Sequence, residues 1–258
     1  MTAARLAPAP SMTMTALMRA EVRAYARQAR TLLWTVLLPV VILVLGEVEI
    51  PAALRHSAAP TLEVAAVAMT TGIFALGLFG YATALANHRD RGVFQRLRCS
   101  PAPSWQLLAS RLLVQVFGML AQALVVFGVA GFVYGVTPGW ASACLATVAV
   151  LVAGLAALAI AQVVVALARS AGSVTGASRV LLLTFFLLEG TFVSTRSWPP
   201  WLLRAANWTP VRMALNLMTD ALVRQRWDAM DARYLLGMGV WTAVLAGIGL
   251  TRFRWEPE

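Results

Sequence analysis

"NHRDRGVFQRLRCSP", Asn87 to Pro101, packs four arginines and one aspartate into fifteen residues. Apolar runs flank it on both sides, Val64 to Ala86 before it and Leu107 to Val136 after it. A bilayer core takes about 20 apolar residues per helix, and both runs are long enough. The charged stretch therefore reads as the turn between two membrane spans, and the rest of the chain can be parsed outward from it.

The whole composition agrees. Of 258 residues 60% are hydrophobic and only 12% charged, against about 25% charged in a soluble domain. Mean hydropathy is +0.74. No polar stretch is long enough to form a soluble domain. All 21 basic residues are arginine. A Walker A loop needs a lysine to reach the terminal phosphates, so this chain has no P-loop with which to hydrolyse ATP on its own. The net charge of +10 fits the positive-inside rule and contact with anionic lipid headgroups, rather than nucleic acid. Cys99 and Cys144 match no zinc or disulfide spacing.

Charge-bounded runs give six spans: Thr31 to Ile50, with Pro39 inside it; Val64 to Ala86; Leu107 to Val136, with Arg111 low enough to snorkel; Trp140 to Ala168; a fifth starting near Arg179; and Tyr234 to Thr251. Segments 1–30, 87–111, 169–179 and 252–258 carry five, five, two and two arginines. Arginine-rich loops stay inside, so both termini are expected in the cytoplasm. The exception is 189–233, which is long and counts less in this rule. The expected fold class is all-α integral membrane. Residues 1–13, rich in Ala, Pro and Thr, read as a disordered N-terminus. Residues 14–30 read as an interfacial amphipathic helix. Met18, Val22, Tyr25, Ala29 and Leu32 form its apolar stripe, opposite Arg19, Arg23, Arg27 and Arg30. Residues 31–252 form the six-span domain and 253–258 a cytoplasmic tail. The first apolar run ends in Glu-Val-Glu-Ile-Pro rather than a small-x-small cleavage site, so it reads as an uncleaved anchor.

Catalytic signatures are missing. His56 and His88 fall in different loops, and no Ser/His/Asp, Cys/His or HExxH set can be assembled. The basic stretch carries a helix signature instead. Asn87 can cap, Asp90 suits a helix N-terminus, and Ser100-Pro101 and Pro103 stop the run. That predicts a short helix over 88–98, with Phe94 and Leu97 apolar among Arg89, Arg96 and Arg98. The plainer alternative is a basic loop obeying the positive-inside rule. Span 5 has only sixteen residues between Arg179 and Arg196, interrupted by Glu189. At 1.5 Å per residue Glu189 lies roughly 15 Å from Arg179, near mid-membrane, which makes it a candidate for the translocation path. The alternative is that it reaches the outer headgroups or pairs with an arginine such as Arg196. Gly131–Gly135 and Gly172–Gly176 have the spacing of close helix contacts.

"RDRGVFQRLRCSPAPSWQLLASRLL", Arg89 to Leu113, resembles the segment after the second span in type-2 ATP-binding-cassette (ABC) transporter permeases. Asp90, Arg91, Gly92, Arg96, Leu97, Ser100 and Pro101 carry the match, while Val93 and Gln95 depart from it. "FLLEGTFVSTRSWPPWLLRAANWTPVRMALNLMTDAL" is similar to the family's region after span 5, through Gly190, Phe192, Pro199, Trp201 and Pro210. The resemblance implies a coupling helix between spans 2 and 3, in which Arg89, Asp90, Arg91, Gly92, Phe94, Arg96 and Leu97 serve ATPase docking. It implies re-entrant short helices between spans 5 and 6. It also implies that this chain binds no cofactor, with ATP and Mg held by two copies of a separate ABC ATPase subunit. A second permease chain, identical or paralogous, would complete the path.

The expected function is that of a permease subunit of an ATP-driven exporter. The chain resembles the membrane subunits of drug and antibiotic exporters, and its apolar spans without a charged pore favour an amphipathic or hydrophobic cargo, drug-like, antibiotic or lipid-like. The expected location is a bacterial plasma (inner) membrane, multi-pass, with membrane lipids around it and no nucleic-acid partner. Two alternatives remain at this stage. One is a self-sufficient ion-coupled secondary transporter or channel, which would call for several intramembrane carboxylates or symmetry-related broken helices. The other is a scaffold that binds partners through its arginines.

Overall fold

A computed structural model describes residues 18–19, 22–23, 29–50, 58–92, 104–190 and 198–252. Among these, every regular element is helical: α1 (Ala29–Glu49), α2 (Ala58–Asp90), α3 (Ser104–Tyr134), α4 (Trp140–Leu167), α5 (Ala171–Glu189), α6 (Pro200–Asn207), α7 (Pro210–Thr219) and α8 (Ala229–Arg252). Five stretches are long and apolar enough to cross a membrane: Ala58–Asp90, Ala109–Tyr134, Trp140–Leu167, Ala171–Glu189 and Ala229–Gly249. α1 adds 21 helical residues around Pro39.

α2 is the hub. Its hydrophobic window is 78% buried, against 28% for α3 and α5 and 11% for α8. α1, α3, α4, α5 and α7 all pack on it, and α8 lies along α4. The sequence of α2 explains this centrality. Small residues recur along it, with Ala65, Ala66, Ala68, Gly72, Ala75, Gly77, Ala82 and Ala86 letting neighbours approach on every side. At Gly77 an added Cβ would stand 3.0 Å from the Ala157 carbonyl oxygen of α4, so any side chain there would push the two helices apart. Phe74 meets Phe185 of α5 edge-on, ring centroids 5.1 Å apart.

Leu76–Ala82 of α2 is a π-helical stretch. A π turn replaces i→i+4 bonding with i→i+5 and appears mostly at functional positions. The Gln115 amide of α3 donates to the Leu76 carbonyl at 2.9 Å, at the head of this stretch.

The structure corrects several sequence expectations. Asn87 does not cap a new helix: α2 runs unbroken through it to Asp90 and breaks only at Arg91–Gly92, where Gly92 takes φ +65°. Residues 93–98 of the expected short helix, with Phe94, Arg96 and Leu97, lie outside the described residues. Arg111 does not snorkel; it is 8% exposed and its guanidinium meets the His88 imidazole. Span 5 begins eight residues before Arg179, at Ala171, because Ser170 and Ser173 form a reciprocal capping box. Glu189 is the last residue of α5, which Gly190 ends in the left-handed region. The Gly131–Gly135 spacing reflects helix termination: Gly135, at φ +68°, donates to Gly131 O while Val136 donates to Ala130 O. Cβ atoms at Gly172 and Gly176 would meet no tight contact. Of the expected interfacial helix, Met18, Arg19, Val22 and Arg23 are helical, with Val22 52% exposed; most of it lies outside the described residues.

Candidate functional site

Three consecutive residues end α2, and each reaches a different helix. His88 meets Arg111 of α3. Arg89 donates from Nη1 to the Val165 carbonyl of α4 at 2.9 Å. Asp90 Oδ2 accepts from the Ala171 amide of α5 at 2.8 Å. Consecutive residues on a helix are about 100° apart, so one turn can contact three neighbours only where all three surround it. Arg89 and Asp90 also pair with each other at 3.6 Å.

The electrostatics of these bonds are favourable. The first amides of a helix lack intrahelical acceptors and its last carbonyls lack donors. Asp90 places an anion on the first turn of α5, and Arg89 a cation on the last turn of α4. Each sits at the helix end that favours its sign. Arg89 is 4% exposed, and its Nη2 has no hydrogen-bond partner among the described residues. Arg91 is exposed, and Gly92 follows it. The predicted docking residues thus divide: Arg89 faces the bundle, Asp90 faces the α4–α5 turn, and Arg91 points outward.

At the opposite end of α5 a second cluster forms. Gly190 caps the helix at φ +83°. Arg212, in the first turn of α7, donates from Nη1 to the Glu189 carbonyl at 2.9 Å and the Leu188 carbonyl at 3.3 Å, and from Nε to Asn207 Oδ1 at 3.3 Å. The Glu189 carboxyl points inward to α2, where Oε2 accepts from the Thr71 hydroxyl. Its Oε1 has no partner among the described residues, and the residue is 4% exposed. Pro199 precedes α6, and Pro200 and Pro210 occupy the first turns of α6 and α7, where proline's missing amide costs nothing. Trp201 is 65% exposed on α6. Phe192 and Arg196 lie outside the described residues. α7 continues into a π turn, Asp220–Arg224, held to the start of α4 by the Ser142 hydroxyl, which donates to the Ala221 carbonyl at 2.8 Å. Asp220 pairs with Arg224 at 3.2 Å. Burial, with the neighbouring Asp231 carboxylate, pushes Asp220 up to about 6. Asp228 and Asp231 cap α8 reciprocally, through bonds of 2.7 to 3.2 Å.

Sequence reasoning missed a polar line along α3. Arg111, Gln115 and Gln122 lie on one face, towards α2. Gln122 is 1% exposed and neither amide atom has a partner among the described residues; it fits between Gly72 of α2 and Pro39 of α1. The signal was available: two glutamines seven residues apart on an apolar helix, matching Gly72 and Gly80 eight apart on the antiparallel neighbour. A cleft of about 210 Å³ opens between α2, α3, α4 and α8, lined by Tyr81, Leu112, Leu155, Leu158, Gln162 and Thr242. Tyr81 donates to Gln162 at 2.9 Å there. Apart from Thr242, the remaining lining side chains are apolar. Among the described residues no group of three His, Cys, Asp or Glu could hold a metal ion.

The geometry is that of a helical membrane bundle whose longest-buried helix ends in a charged turn wired to three neighbours. No curated protein matches the chain. The family model for the ABC-2 type transporter matches residues 13–223 of the 258, which takes in α1 to α7 and the charged turn. The chain belongs to the ABC-2 type transporter family, the membrane component of an ABC transport system.

Proposed function

We propose that the chain is the permease half of an exporter. Six helices, α1 to α5 and α8, cross the membrane with both ends of the chain inside. Two separate ATPase subunits bind the 91–98 region from the cytoplasm, and ATP and Mg act there rather than on this chain. A second permease chain lies against the exposed apolar faces, of which Val180, Leu183 and Leu187 on α5 are one. α6 and α7 re-enter the outer leaflet, with Trp201 and Trp208 at its interface. The cargo is amphipathic or hydrophobic, of the drug, antibiotic or lipid kind, and leaves a bacterial inner membrane.

One observation carries the reading: the family match covers a charged turn that is exposed at Arg91 and wired to α3, α4 and α5 one residue earlier. An ATP-driven permease needs a surface that a soluble partner can push and internal contacts that receive the push. The amphipathic cargo is favoured by the apolar cleft with its single Tyr81–Gln162 pair.

The test is co-purification with a candidate ABC ATPase subunit, followed by transport in proteoliposomes with hydrolysable and non-hydrolysable ATP. Outward movement of a hydrophobic dye only with the ATPase and hydrolysable ATP is the expected result. Transport by the chain alone under a proton gradient would replace this reading with the ion-coupled one.

A further inference from the structure

We infer that Arg89 and Asp90 are positioning residues that pass the docking movement from the end of α2 into the α4–α5 connection, and that they make no contact with the ATPase. The inference rests on the exporter reading and divides its docking region into two parts with different tasks.

Four observations carry it. Arg89 is 4% exposed, so its guanidinium is not presented to a soluble partner. Its bond to Val165 O and the Asp90 bond to Ala171 N fall on either side of the same short turn, 168–170. Residues 89 and 90 are themselves joined by an ion pair, so the two helix ends move with one unit. Finally, the chain turns immediately afterwards: Gly92 donates its amide to Arg89 O at 3.0 Å and holds φ +65°. A displacement of residues beyond 92 therefore acts directly on the last turn of α2.

The physical means is helix-end electrostatics. Asp90 is held by one amide and the positive end of α5, and its side chain is 36% exposed. Such contacts are weak where water reaches them, and break and reform readily within a transport cycle. Loss of this bond leaves the first turn of α5 held to the end of α2 by packing, with the Ser178–Leu78 hydrogen bond two turns further along α5. Retention of the Asp90 bond makes α2 and α5 tilt together. A two-state contact of this kind is what coupling requires: differential interaction in two conformations.

The wild-type permease and three variants, Asp90→Ala, Asp90→Asn and Arg91→Glu, are reconstituted with the ATPase. Association, ATP hydrolysis and dye transport are each measured. In parallel, amide hydrogen exchange is followed for residues 171–175 in the permease alone. Asp90→Ala is expected to retain ATPase association and hydrolysis while the ATP consumed per dye exported rises about tenfold, the scale that residues on a coupling route command. The 171–175 amides should exchange faster, with the rest of α5 unchanged. Asp90→Asn keeps an acceptor oxygen for the Ala171 amide and should restore most of both. Arg91→Glu should weaken association and leave the exchange alone. Loss of association in Asp90→Ala equal to that in Arg91→Glu overturns the inference, as does unchanged stoichiometry. If the wild-type protein exports dye without the ATPase, the exporter reading fails and takes the coupling role with it. The exchange result still reports the contact itself.

Discussion

At its N-terminus α5 is held by Asp90, whose side chain is 36% exposed; at its C-terminus it is held by Arg212 and by Glu189, which is 4% exposed. Both ends obey the same electrostatic rule, an anion on the first amides and a cation on the last carbonyls. They differ in what it costs to let go. Water can replace Asp90 on the Ala171 amide. Nothing among the described residues can replace Thr71 on the Glu189 carboxyl, or Arg212 on two carbonyls. On the proposed coupling route one end of α5 exchanges partners and the other keeps them, which makes the Glu189 end the fulcrum of that proposal.

Arg212→Met is the strongest challenge to that fulcrum. It removes a charged donor from two helix-end carbonyls and from Asn207, at an expected loss of about 3 kcal/mol. The measurement is the unfolding midpoint in detergent, followed by tryptophan emission. Arg212→Lys should recover only part, because an ammonium lacks the planar fork that reaches several oxygens at once. A loss no larger than that of Asp90→Ala would erase the difference between the two ends.

Thr71→Val comes next. It keeps shape and removes the Thr71 donor to Glu189 Oε2, leaving a buried carboxyl with neither oxygen partnered among the described residues. The expected cost is about 2 kcal/mol. In the double variant with Glu189→Gln the cost should change, since contacting residues do not add; strict additivity would mean the bond carries no energy.

These two residues also show where the sequence was legible. Five apolar runs and the charged turn at 87–92 follow from charge spacing and hydropathy, which are local, while the prolines that open α6 and α7 entered through the family resemblance. Glu189 was also conspicuous, because a carboxylate in an apolar run is costly wherever it sits. The start of span 5 was misread because the span was bounded by charge. Arg179 seemed to start the helix, whereas the Ser170–Ser173 cap starts it at Ala171 and lets the helix carry Arg179 inside. Arg212 was invisible as a cap, since its acceptors are 23 and 24 residues back in sequence. The Asp90–Ala171 bond spans 81 residues, and no local pattern signals it.

Asp220, on the π turn held to the start of α4, offers a test by pH. Its carboxyl is pushed up to about 6 by burial first and by Asp231 second, against the pull of Arg224, with Asp228 a further acidic neighbour. Between about pH 4 and pH 6 the folded protein therefore holds a proton that the unfolded chain has released. Stability contributed by this proton is fully present below the ordinary carboxylate value and is lost as pH rises through 6. The expected result is an unfolding midpoint that falls from pH 4 to pH 6 and then levels off. Asp220→Asn should flatten that slope. The carboxyl is partly open to solvent, so the effect is smaller than that of Thr71→Val. A slope that survives in Asp220→Asn would place the titration elsewhere.

Glu189→Gln has the smallest expected effect on stability and is the most informative about function. The new amide oxygen can still accept from Thr71, and the amide nitrogen takes the place of an oxygen that had no partner to lose. Two opposing changes follow: burial of a group that can ionise is relieved, while an unpaired N–H is introduced. They largely cancel, leaving the unfolding midpoint within about 1 kcal/mol of wild type. Because the fold is preserved, transport by this variant reads the carboxyl alone. If Glu189 lines the route of the cargo, export of a cationic dye falls while the ATPase still couples. If export is unchanged, Glu189 belongs wholly to the fulcrum, and the moving parts of the permease must be sought at the Asp90 end.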